Sequence, residues 1–244
     1  MLDTILFDLD GTLLPIGQDI FVETYFKLLG RRGAALGYEP EAMLRAVWQG
    51  TKAMMHNDGQ ASNYTRFWDT FAQCMGEEIR AAEPSLDDFY ATDFHATQSV
   101  VGPKHDVKAL LDSLSAKGYS LALATNPLFP PVAVRSRLSW IGVEESYFRH
   151  ITTYENSRYC KPNLGYFQDI LEVLGKESGQ CMMIGNSPGE DMAAGKLGMS
   201  LFLLTDYLEN AAGVDISPYP QGDYAAMAAM LEALPDLSQR GKAQ

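Results

Sequence analysis

Thr4-Ile5-Leu6-Phe7-Asp8-Leu9-Asp10-Gly11-Thr12 sets a short apolar run directly against two acids and a glycine. A run of this length that ends where its acids begin describes a buried strand with polar groups at its C-terminal end. Alternation along an extended chain places Asp8 and Asp10 on the same side, and Gly11 permits a sharp turn away. Two carboxylates held that close repel each other unless a cation or a shared proton separates them, so the pair points to metal binding or acid–base work. Alone, the segment also fits an acidic turn or a fragment of a calcium loop. An EF-hand loop, however, needs a further acid or amide before its glycine and a later glutamate, and neither fits here.

Outward from this strand, Ser120 to Ala124, Cys181 to Ile184 and Leu201 to Leu204 repeat the apolar pattern of buried parallel strands. Helical patterns separate them, over Asp106 to Lys117 with Gly118 as its stop, over Val132 to Trp140 and over Leu164 to Leu174. The alternation predicts an α/β fold with a doubly wound, Rossmann-like parallel sheet, formed by residues 1–16 and 100–244. Residues 17–99 break the rhythm. Phe21, Tyr25, Leu28 and Leu29 share one helical face and Met43, Val47 and Met54 another, with Gly33, Gly37, Pro40 and Gly59 as punctuation. This region predicts an inserted helical domain in which those stripes pack a core. Ala211 to Gly222 reads as a loop, Ala225 to Leu234 as a closing helix, and the residues after Pro235 are expected to fray.

With 19 basic and 31 acidic side chains the net charge is −12, which argues against sequence-independent binding to nucleic acid or to an anionic membrane. No stretch approaches the roughly 20 apolar residues of a membrane span, so a cytoplasmic protein is expected. Cys74, Cys160 and Cys181 show neither CxxC spacing nor a nearby His partner and read as reduced structural thiols.

Three later clusters carry polar groups, and two of them sit where ligands bind in open α/β sheets, at strand C-termini. Thr125-Asn126-Pro127 offers a hydroxyl and main-chain amides suited to phosphate oxygens, although such a triplet is also an ordinary turn. Lys161, before Pro162 and a helix, is a cation able to neutralise a nucleophile and an anion together. Gly185-Asn186-Ser187-Pro188-Gly189-Glu190-Asp191 supplies oxygen ligands for a hard cation. It equally fits a turn whose acids open a helix. Four segments in this order supply paired acids, a hydroxyl, a lysine and a second acidic cluster, and that combination decides for a site.

In these four segments the sequence resembles the haloacid dehalogenase superfamily of hydrolases, and residues 17–99 resemble the helical cap that the family carries between its first two motifs. The resemblance implies Mg²⁺-dependent hydrolysis of a small phosphate monoester. Asp8 would be the nucleophile and Asp10 the general acid and base, with Thr125 and Lys161 assisting catalysis. Thr125, Asn126 and Lys161 would hold the phosphate, and Asp8, Asp10 through its carbonyl, Asn186 and Asp191 the metal. Asn186 departs from the family, which most often has an acid there, so a weaker metal site is expected.

An intact pair of aspartates argues against carbon–halogen cleavage. A phosphonatase would need a cap lysine, and nothing singles out Lys27 or Lys52. A phosphomutase or other phosphoryl transferase uses the same aspartates, and Asn186 leaves room for a weakened binding or regulatory protein. The expected partner is a small phosphorylated molecule, with no nucleic acid and no membrane. Arg31, Arg32, Arg45, Lys52, His56 and Arg66 are candidate receptors for a second anionic group. Trp48, Tyr64, Phe67 and Trp68 are candidate walls of an apolar pocket or, alternatively, cap core.

Overall fold

In a computed structural model that describes residues 1–238, strands β1 (Thr4–Phe7), β2 (Ser120–Leu123), β3 (His150–Ile151), β4 (Cys181–Gly185), β5 (Ser200–Leu204) and β6 (Gln221–Gly222) form one sheet in the order β3-β2-β1-β4-β5-β6. Every pairing is parallel. The chain lays β2 and β3 on one side of β1 and then crosses to β4, β5 and β6 on the other. The order therefore switches beside β1, and in such sheets the crevice at the strands' C-terminal ends receives ligands.

Helices α1 (Gln18–Ala35), α2 (Pro40–Met55), α3 (Asn63–Met75) and α4 (Glu83–Ala91) follow β1, with 3-10 segments at Glu77–Ala82 and Asp93–Val100. Helices α5 (Val107–Ala116), α6 (Pro131–Trp140), α7 (Leu164–Leu174) and α8 (Tyr224–Glu232) accompany the sheet. Side chains cap several of them: Ser62 accepts from Thr65 N at 3.2 Å, Asp106 from Ala109 N at 2.9 Å and Asp223 from Ala226 N at 2.8 Å, each satisfying a main-chain donor the helix leaves free.

Period-two alternation divides the core between the two faces of the sheet. Leu6, Ala122 and Met183 pack with Phe167 and Ile170 of α7. Ile5, Phe7, Leu121, Leu123 and Ile184 pack with Val107 and Leu111 of α5, Leu138 of α6 and Met227 of α8. Phe129, just before α6, ties the helices that follow β1 to the sheet, with ring centroids 6.0 Å from Phe21, 5.5 Å from Tyr25 and 6.5 Å from Phe94.

Two strands fall outside the sequence reading. His150–Ile151 and Gln221–Gly222 are two residues each, too short to show a period, and the second lies inside the segment read as a loop. The chain end also differs from expectation. Leu237 N donates to Lys117 O at 2.8 Å and Pro235 O accepts from Tyr119 Oη at 3.0 Å, so residues 235–238 are held against α5; the rest of the expected fraying falls outside the described residues. No helix among the described residues is long and apolar enough to cross a membrane.

Candidate active site

Main-chain pairing fixes the position of Asp8. Ala124 N donates to Phe7 O at 2.7 Å and Asp8 N to Ile184 O at 2.9 Å, so the ladder continues one residue past β1 on both sides. The Asp8 carboxylate is then held at each oxygen: Oδ1 accepts from Lys161 Nζ at 2.8 Å and Oδ2 from Thr12 Oγ1 at 3.1 Å. Lys161 Nζ also donates to Asp191 Oδ1 at 2.6 Å, and Asp191 Oδ2 accepts from Ser187 N at 3.0 Å. The Lys161 and Asp191 side chains are almost wholly buried. Burial opposes the charge on Lys161, but Asp191 and Asp8 outweigh it and raise the ammonium well above its ordinary value. Burial pushes the Asp191 carboxyl up, with Lys161 acting against the rise and Asp8 adding to it. One ammonium thus orients two carboxylates.

Two glycines make room for this cluster. Gly11 has φ +76°, and a Cβ there would lie 2.1 Å from Asn186 Nδ2. A Cβ on Gly185 would lie 2.1 Å from Asp191 Oδ2, so the main chain of β4 approaches the acid as closely as only glycine allows.

Asp10 has a partner that sequence reading missed. Arg137 of α6, with no exposed side-chain surface, pairs through Nη1 with Asp10 Oδ2. It also donates from Nε to Ala133 O at 3.2 Å and lies over the Phe129 ring, 4.5 Å from its centroid. Asp10 Oδ1 and Arg137 Nη2 have no hydrogen-bond partner among the described residues. Burial pushes the Asp10 carboxyl up, Arg137 pulls it down, and Asp8 adds to the rise. An arginine at this position reads as a solvated helix charge. The available signal was its place on the stripe of Ala133 and Trp140, both buried, where an arginine needs an internal counter-ion.

The remaining predicted residues gather around the same strand ends. The Thr125 carbonyl accepts from Thr152 Oγ1 at 2.6 Å and Tyr166 Oη at 2.9 Å, which fixes the residue beside Asp8. Asn126 braces the loops, accepting from Lys161 N at 3.3 Å and donating to Glu190 Oε2 at 3.0 Å. Asn186 Nδ2 donates to Tyr207 O at 2.6 Å, and its Oδ1 lies 3.5 Å from Thr12 Oγ1. An amide suits this place because its neighbour is a carbonyl acceptor. Glu209, absent from the sequence reading, closes the acidic group; burial first, then Asp8 and Glu190, push its carboxyl up to about 8.

The donor set fits a hard divalent cation. Asp8 Oδ2 and Asn186 Oδ1 flank the single Thr12 hydroxyl, at 3.1 and 3.5 Å, and oxygen is the ligand such cations take. Among the described residues no three His, Cys, Asp or Glu side chains are arranged to hold a metal by themselves. A cation here would therefore draw on an amide or main-chain oxygen as well. Asp191, with both oxygens engaged by Lys161 and Ser187, is placed to act from behind.

Asp8, Asp10, Thr125, Asn126, Asn186 and Asp191 open onto one cavity of about 240 Å³. Trp48, Phe67 and Trp68 line it, whereas Tyr64 does not and instead donates to Glu83 at 3.1 Å. The stripes read as packing have a second part to play, since Phe21, Tyr25, Leu29, Met43 and Val47 are buried and also form the cavity wall. The basic candidates for anion recognition do not reach it. Arg32 pairs with Asp88 and Asp93, both at 2.9 Å, Arg66 with Asp58 at 2.5 Å, and Arg45 lies 3.5 Å from Glu41. Lys52 stands over the Trp48 ring and His56 Nδ1 meets Lys52 O at 2.8 Å. Arg31 is likewise absent from the lining.

Comparison with known proteins agrees with this geometry. A family profile described as haloacid dehalogenase-like hydrolase matches residues 2–198. The chain is similar to glyceraldehyde 3-phosphate phosphatase of Methanothermobacter thermautotrophicus, at 26% identity covering 86% of this chain and 89% of that one. It is also similar to phosphoglycolate phosphatase of Vibrio parahaemolyticus, at 29% identity and 82% of each. In fold it resembles the crystal structure of a HAD phosphatase from Thermococcus onnurineus, with TM-score 0.58 at 18% identity over 94% of this chain and 98% of the other. With the family's four motifs collected at the C-terminal ends of one parallel sheet, the chain belongs to the haloacid dehalogenase-like hydrolases.

Proposed function

We propose that this hydrolase is a phosphatase that cleaves a small phosphate monoester through an aspartyl-phosphate on Asp8, with residues 17–99 serving as a cap over the site and the protein working in the cytoplasm. The observation that carries the reading is the Asp8 carboxylate, fixed at both oxygens at the floor of a cavity with Asp10 beside it. The phosphatase names of its relatives support the same choice.

Asp8 attacks phosphorus, an Asp8 oxygen–phosphorus bond forms, and the bond from phosphorus to the ester oxygen breaks. The leaving oxygen takes a proton from Asp10, whose Oδ1 is unengaged among the described residues. Water then attacks phosphorus and returns a proton to Asp10, releasing inorganic phosphate and restoring the Asp8 carboxylate. Lys161 holds the Asp8 carboxylate in place through Oδ1, and Thr125 and Asn126 receive the phosphoryl oxygens. Asp8, the Asp10 carbonyl and Asn186 would hold Mg²⁺, supported by Asp191; the ion, when bound, offsets negative charge on the transferring group.

Hydrolysis of an aryl phosphate with Mg²⁺ tests the reading. Wild type is expected to turn over and Asp8→Asn to lose essentially all activity; equal activity in the two would sink the proposal.

A further inference from the structure

The cavity is more apolar than a phosphate site needs. Away from Asp8 it is walled by residues such as Phe26, Leu29, Met43, Val47, Phe67 and Leu86. Trp48 and Met55 line it while remaining 45% and 46% exposed, which places them at its mouth. Among the described residues, the charged ones on its wall beyond the aspartates already described are Asp87, Glu190 and Glu209, all acids, and no lysine or arginine lines it. Lys161 and Arg137 lie behind Asp8 and Asp10, each committed to those carboxylates. A second carboxylate or phosphate on the substrate would lose its hydration and face acids without a cation to receive it, a net cost. An apolar group would gain from the same wall.

We propose that the substrate joins its phosphate to an uncharged apolar alcohol, aromatic or alkyl, and carries no second anionic group. The proposal rests on the phosphatase reading and sets this chain apart from relatives named for phosphoglycolate and glyceraldehyde 3-phosphate.

The test has a turnover arm and a binding arm. Ethyl, butyl and hexyl phosphate have leaving groups of similar reactivity, so their kcat/KM values compare the cavity rather than the chemistry. Each buried methylene is expected to raise kcat/KM about fourfold, the equivalent of about 0.8 kcal/mol, until the cavity is filled. Phosphoglycolate should fall below butyl phosphate. In the binding arm, calorimetry on the Mg²⁺-loaded protein compares ethyl-, butyl- and hexylphosphonate with 3-phosphonopropionate, which carries the extra carboxylate and cannot be hydrolysed. Affinity should rise along the alkyl series and be weakest for the probe with the added carboxylate. Trp48→Ala, at the exposed mouth, should lower kcat/KM for hexyl phosphate by a larger factor than for ethyl phosphate. A flat alkyl series, or tighter binding of 3-phosphonopropionate than of hexylphosphonate, overturns the proposal. A rising alkyl series in binding with no turnover of any ester would uphold the cavity's preference and refute the phosphatase reading instead.

Discussion

Removing Asp10 should cost stability as well as activity, because Arg137 is buried and cannot shed its charge. Breaking a buried ion pair from one side costs about 3–5 kcal/mol, most of it from the charge left without a partner. Arg137 is fully buried but the Asp10 side chain is 27% exposed, so the low end, about 3 kcal/mol, applies to Asp10→Ala. For a chain of this size that lowers Tm by about 6–12 °C. Arg137→Met retains much of the packing against Phe129 and leaves a carboxyl that can take up a proton, so it should cost less. The double variant, with neither charge, should recover about 2 kcal/mol relative to the sum of the single changes. Urea denaturation of the four proteins at neutral pH measures the cycle. Asp10→Ala as stable as wild type, or strict additivity in the double variant, would refute a structural pairing between these residues.

Two further outcomes follow from neighbouring contacts. Asn186→Asp should bind Mg²⁺ more tightly, by adding a negative ligand. It should also lower the metal-free Tm, because a carboxylate oxygen would replace the donor now facing Tyr207 O at 2.6 Å; an unchanged magnesium requirement, read by titration of activity, would contradict this. Glu209 has its carboxyl raised from 4.5 to about 8 by burial and by neighbouring acids. Above the unfolded value the unfolded chain releases this proton while the folded one keeps it, so the metal-free protein should lose stability as pH rises from about 4.5 to about 8. Glu209→Gln should flatten that decline in a Tm-against-pH series, and an unaltered slope would exclude the residue as its source.

The sheet was legible because its four longer strands are apolar runs, and three of them, β1, β2 and β4, break at polar clusters that form the site. Asp8, Lys161 and Asp191 were legible together only as a set, since each alone reads as a turn or surface residue. Their meeting within 2.6–2.8 Å depends on pairings between β1 and β4 that no local pattern encodes. Arg137 was not legible, because a counter-ion 127 positions away leaves no trace in helical periodicity beyond a charge on an apolar stripe. The double part played by Phe21, Tyr25, Leu29, Met43 and Val47 escaped for a related reason: a helix face buried against other helices and one lining a cavity have the same spacing.

The central claim is that Asp8 becomes phosphorylated. The most direct measurement is a crystal structure of the Mg²⁺-loaded protein with beryllium fluoride, a mimic of a bound phosphoryl group. Beryllium should be bonded to an Asp8 carboxylate oxygen, with Lys161 and Thr125 on its fluorides and Asp10 facing the side opposite the bond. Beryllium fluoride on another side chain, with Asp8 still free, would contradict it.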